Sequence, residues 1–175
     1  DDAVLGLARE LKNVSDDDAK AQIRGMLFSS IAAHEVGHTL GLSHNFAASI
    51  ANRASVMDYP HPLIELAAAG APGLANAYAT GIGEWDKILI RWGYGDEPAS
   101  KVFADAQARG LYFITDSDSR PQGSPHPFSH LWDNGTNPID ELTRVMQVRA
   151  RVLDRFGERN LREGQPMATL EEALV

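Results

Sequence analysis

Three histidines constrain this chain more than any other feature. His34 and His38 stand four apart in His34-Glu35-Val36-Gly37-His38, and Gly41 and His44 follow at intervals of three. Positions four apart in an α-helix lie one turn above each other, so the first two imidazoles aim at a common point. His44 joins them only if the helix stops. Glycine accepts positive φ, so Gly41 is where the chain can turn sharply and swing His44 back. Ile23, Met26, Leu27, Ser30 and Ile31 fall near the same face as His34 and His38, which predicts a helix from about Asp16 to Leu40. Ser15 with Asp18, and the acidic run Asp16 to Asp18, mark its start.

Three neutral imidazoles and one water make up the open tetrahedral shell of a catalytic zinc. Glu35 lies next to His34, so its carboxylate reaches such a water without being a ligand. Zinc lowers the pKa of its water to roughly 7, and Glu35 is placed to take the proton. The HExxH pattern alone also recurs on solvated polar helix faces. Gly41 and His44 are separate constraints that such a face has no need to meet.

The pattern HExxHxxGxxH followed by Ser55-Val56-Met57-Asp58-Tyr59 resembles the metzincin clan of zinc metallopeptidases. The resemblance implies a tight turn that sets Met57 beneath the metal as an apolar floor, a place that suits a soft thioether. Tyr59 is similar to the tyrosine of astacins and serralysins, which implies that it approaches the zinc and donates a hydrogen bond to the developing oxyanion. A narrower resemblance runs through His44-Asn45-Phe46, Met57-Asp58-Tyr59-Pro60, the stretch 82–87 with Trp92-Gly93-Tyr94, and 132–135 with Asp140-Glu141. These are similar to one group of large bacterial zinc-dependent metallopeptidases first catalogued as domains of unknown function. The group covers nearly the whole chain. It implies a zinc metalloendopeptidase with one zinc, a peptide or protein substrate, and a periplasmic, cell-surface or extracellular setting. Metzincins set a mixed sheet ahead of the zinc helix, whereas the residues ahead of His34 read here as helical. An upstream part of the parent chain is therefore expected to complete the cleft.

A chain of 175 residues favours a single domain. Residues 1–98 would carry the zinc helix, the methionine turn and a following helix, and 99–175 a helical extension. The net charge of −8 argues against nucleic acid or an anionic membrane as main partner. With no cysteine, a disulfide framework or a thiolate ligand is excluded. No apolar run approaches the roughly 20 residues that span a bilayer. The chain lacks an initiator Met, and Thr169 with Glu172 opens a helix close to Val175, so it reads as an excised piece.

The expected fold is mainly α with little strand: the C-terminal part of a metzincin-like catalytic domain. A first helix is expected over Ala3 to Lys12. Residues 45–83 read as irregular, with a short helix near Leu63 to Ala69. Ile82, Trp85, Ile88, Leu89 and Trp92 form the stripe of a helix over Gly83 to Trp92. Leu111 to Thr115 is the one strand candidate. Residues 116–137 are rich in turn formers. Pro138 opens a helix to Phe156, with Ile139, Leu142, Val145, Met146, Arg149, Val152 and Leu153 at helical spacing.

Other residues carry weaker signals. Asp116, Asp118, Asp133, Asn134, Asp140 and Glu141 offer oxygen ligands for calcium, although turns also favour Asp and Asn for their own backbone bonds. His61, His126 and His130 would be a second zinc site only if the fold gathers them. Trp132 would line a substrate pocket, while Trp85 and Trp92 read as core. Two alternatives to a peptidase remain: a metzincin-derived scaffold that binds peptide without turnover, and a zinc hydrolase of a non-peptide amide. Glu35 argues against the scaffold, which has no use for that carboxylate.

Overall fold

A computed structural model of the chain describes residues 16–67, 70–119, 122–123 and 126–172. The helix expected over Ala3 to Lys12, and Ser15, lie outside them. Helix α1 spans Asp16–Thr39. It ends as the sequence predicts. Leu42 N–H bonds to Gly37 O and Gly41 N–H to His38 O, each at 3.0 Å, the two bonds of a Schellman motif. Gly41 takes φ +83°. A β-carbon on Gly41 would meet open space, so backbone conformation alone calls for glycine there.

The chain from Leu42 to Gly83 is irregular, as expected. It holds one 3-10 turn, Ser49–Ala51, and a small antiparallel hairpin of β1 (Glu65–Leu66) and β2 (Pro72–Gly73). The hairpin replaces the helix expected near Leu63 to Ala69. Gly70, at φ +74°, reverses the chain, and Ala67 N–H bonds to Ala71 O at 2.8 Å across the reversal. Alanine propensity lost to turn geometry.

Helices α2 (Glu84–Tyr94), α3 (Ala99–Ala108), α4 (Asp116–Ser119), α5 (Pro138–Leu153) and α6 (Ala168–Glu172) follow. Among the described residues the protein is mostly helical, with one two-stranded sheet. No helix among them is long and apolar enough to cross a membrane. Asn137 caps α5, its side chain accepting from Ile139 N–H at 2.8 Å. Helix α3 carries no strong sequence signal. Its Val102 and Ala106, four apart, pack into a core with Ala48, Ala54, Trp85 and Ile88. That core includes Ala54, three residues before Met57 in the chain.

Three expectations are corrected. Leu111 to Thr115 is extended but forms no strand, because its backbone pairs with an asparagine side chain and one loop amide rather than with a neighbouring strand. The predicted stripe of α5 is largely exposed, with Ile139 at 72%, and the buried residue is Val148. Trp85 is core as expected, but Ile82 and Trp92 are exposed, and the Trp92 ring is tilted by 50° against that of Phe103, with centroids 5.6 Å apart. Helical periodicity marks a face without saying whether anything covers it.

Candidate metal centre

The three histidines do come together. One ligand atom from each of His34, His38 and His44 lies within 4.8 Å of the others, and the ring centroids are 4.7–5.3 Å apart. Each ring is oriented through Nδ1. His34 Nδ1–H donates to Val56 O at 2.7 Å, and His38 Nδ1–H to Leu42 O at 2.9 Å. His44 Nδ1–H donates to the Asp116 carboxylate, at 2.9 Å to Oδ2 and 3.2 Å to Oδ1. With every Nδ1–H donating, Nε2 is the nitrogen that carries no proton on each ring, and this network fixes the tautomer. Burial holds the pKa of His34 below the usual histidine value, outweighing the hydrogen bond to Val56, which favours the neutral ligand form.

The carbonyl that orients His34 belongs to the turn carrying Met57, and that turn is itself pinned. Ser55 Oγ–H donates to Asp86 Oδ1 at 2.5 Å, and Val56 N–H to Oδ2 at 2.9 Å. Gly83 N–H reaches the same Oδ2 at 2.7 Å, so one carboxylate caps α2 and anchors the turn. Trp85 N–H adds a bond to Ala54 O at 2.8 Å. Met57 is 0% exposed, and its sulfur lies against Gly37, the residue between the two helical ligands. A β-carbon on Gly37 would overlap that sulfur, so the helix must be bare where the thioether passes. Gly37 and Asp86 are missing from the candidates chosen on sequence. Gly37 sits inside the histidine motif, and Asp86 three residues into a helix start, which were the available signals.

Tyr59 stands at the mouth of the site. Its hydroxyl donates to His44 Nε2 at 2.7 Å, the nitrogen that a metal would take. Burial, with the nearby charges of Asp116 and Glu35, holds its pKa above the usual phenol value, so it stays a donor. Glu35 is exposed beside His34, close enough for its charge to act on both His34 and Tyr59. Trp132 stacks on Tyr59, with centroids 5.7 Å apart, and its N–H bonds to Tyr59 O at 3.0 Å. Its φ of +68° is left-handed, a conformation rare outside glycine. Asn134 extends this seam, donating to His61 O at 2.8 Å while accepting from Arg53.

Asn45 ties the parts together. It is fully buried, its N–H bonds to Met57 O at 2.8 Å, and its side-chain amide bonds to Tyr112 O and Ile114 N–H. The weaker candidates do not assemble. The three histidines are the one metal-holding group among the described residues, so His61, His126 and His130 form no second site. Calcium finds no support: Asp116 serves His44, Asn134 serves His61 and Arg53, and the acidic residues form no ligand group.

Three imidazoles with ligand atoms within 4.8 Å of one another, each with Nδ1 held so that Nε2 is the nitrogen it offers, are the donor set that suits zinc. The residues present therefore fit the ion. A family model described as Met-zincin matches residues 16–175. No curated protein and no solved structure matches the chain.

Proposed function

This chain belongs to the Met-zincin family, and on that premise we propose that it is a zinc metalloendopeptidase domain in which His34, His38 and His44 hold the ion and Glu35 is the general base. The observation that carries the reading is the gathering of the three imidazoles within reach of one ion, each oriented through Nδ1 so that Nε2 is the nitrogen it offers.

Zinc bound there supplies a Lewis acid for a carbonyl and a water of lowered pKa. Glu35 takes a proton from the attacking water as the new C–O bond forms, and delivers it to the leaving amine as the scissile C–N bond then breaks. Tyr59 acts next to it. A nitrogen lone pair serves one acid at a time, so a metal held by His44 through Nε2 would leave the phenol without its present acceptor. It is then free to donate to the oxyanion that develops on the carbonyl, where a donor matters most. Met57 closes the floor with an apolar surface. An exported setting belongs to the same proposal and rests on the family resemblance.

A peptide-library digest with wild-type protein and Glu35→Ala tests the assignment, with zinc content measured on both. Expected is one zinc per chain in each and turnover about 10²–10⁴-fold lower in the variant. Equal cleavage by the two proteins removes the peptidase assignment. Zinc-free protein after zinc dialysis removes the metal site.

A further inference from the structure

We propose that Asp116 is the positioning residue for the third metal ligand, so that the segment 111–119 sets the metal affinity of the centre. The inference rests on the zinc reading above and adds to it a residue from outside the histidine motif and the methionine turn.

The three ligands are held in different ways. His34 and His38 project from α1 and are oriented by backbone carbonyls. No side-chain substitution removes those acceptors. His44 lies past the helix end, on irregular backbone, and its Nδ1–H is held by a carboxylate 72 residues along the chain. A carboxylate does more than a carbonyl. It fixes ring and tautomer, and its charge makes Nε2 a better donor to a cation.

The segment that delivers Asp116 is built for position. Phe46 N–H bonds to Ile114 O at 2.9 Å, and Asn45, the residue after the ligand, bonds to Tyr112 O and Ile114 N–H. Ile114 is buried. Asp118 and Ser119 N–H both bond to Thr115 O, and Ser119 Oγ–H to Asp116 O at 3.0 Å, which fixes the backbone of Asp116 itself. Its side chain is 64% exposed, so apolar burial does not hold it in place. The Asp118 and Ser119 amides of α4 bond to Thr115 O and not to this carboxylate. Thr115 Oγ–H reaches Oδ2 only at 3.5 Å, so the 2.9 Å bond to His44 is the closer hold on its orientation.

The test is zinc affinity, by competition with a chromophoric chelator, on wild type, Asp116→Ala, Asp116→Asn and Asp118→Ala, with circular dichroism as the folding control. Asp118 keeps a neighbouring charge without a bond to the ligand. Expected is a zinc affinity about 10–100-fold weaker in Asp116→Ala. Asp116→Asn falls between, because its amide oxygen still accepts from Nδ1–H, and Asp118→Ala matches wild type. The visible spectrum of the cobalt-loaded protein changes in Asp116→Ala and not in Asp118→Ala. Folded Asp116→Ala that binds zinc within twofold of wild type overturns the inference and leaves the zinc site standing. An equal loss in Asp118→Ala also overturns it, as general charge. If Asp116→Ala fails to fold, Asp116→Asn decides, and an unchanged affinity and cobalt spectrum overturn the proposal. Wild-type protein that binds no zinc removes the underlying reading instead.

Discussion

Met57 and Ile139 are both large apolar residues, and the structure treats them in opposite ways. Met57 sits in irregular backbone and is wholly buried, while Ile139 sits on a well-formed helix and is largely exposed. The contrast extends to their surroundings. From Leu42 to Asp58 most side chains are buried, Asn45, Phe46, Ala47 and Ala48 among them. On α5 the apolar face of Ile139, Leu142, Val145, Met146 and Leu153 is open. Regular structure supplies its own backbone hydrogen bonds, so a helix persists with one face uncovered. Irregular backbone has no such ladder and must find partners, here the side chains of Asn45, Ser55 and Asp86. Order around the metal centre is therefore a matter of side-chain polar groups and burial.

This difference is measurable. Asp86→Ala leaves Ser55 Oγ–H, Val56 N–H and Gly83 N–H without their acceptor. We expect a loss on the order of 4 kcal/mol in chemical denaturation, with weaker zinc binding because Val56 O orients His34. A loss under about 1 kcal/mol would break the comparison. Met57→Ala empties the floor of the site and should lower stability by about 3 kcal/mol, read as a drop in Tm.

Asp58, between Met57 and Tyr59, gives the pH dependence. Burial raises its pKa from 3.8 to about 7, reinforced by the Asp133 carboxyl, against hydrogen bonds from the Tyr59 and Ser49 amides. The folded protein thus prefers the protonated acid. Its contribution is fully present below the unfolded value of 3.8 and is lost as pH rises through about 7. At about 1.4 kcal/mol per unit, the loss is on the order of 4 kcal/mol. Asp58→Asn should flatten the fall in stability between those pH values, and an unaltered slope would show that another group sets it. Smallest is the effect on the helical side. Ile139→Glu should change stability by no more than about 0.5 kcal/mol, because nothing is buried there. A loss as large as that of Met57→Ala would mean that α5 is covered after all.

Much of the centre was legible before any fold was known. Spacings of four, three and three residues placed His34, His38, Gly41 and His44, because helix geometry and the left-handed tolerance of glycine are local rules. Met57 and Tyr59 came from resemblance, and the structure puts Met57 under the helix and Tyr59 on a ligand nitrogen. Asp116 was visible only as one more acid in a turn-rich stretch, since nothing local relates it to His44. Asp86 and Gly37 share that reason: their roles exist only where a distant turn packs against them. The strand expected at Leu111 to Thr115 was a fair reading of composition, but composition does not say that the partner is the amide of Asn45.

The sequence by itself determined the helix bearing two ligands, its end at Gly41, the donor chemistry of the three imidazoles and the mainly α character. Each follows from interactions spanning a few residues, which periodicity and φ preference encode directly. Only the tertiary structure decided which nitrogen of each ring is free, what holds the methionine turn, and which apolar faces are covered. Apart from the bond of His38 to Leu42 O, four residues on, those depend on contacts between residues 22 to 72 positions apart, and closing such loops is a property of the whole chain.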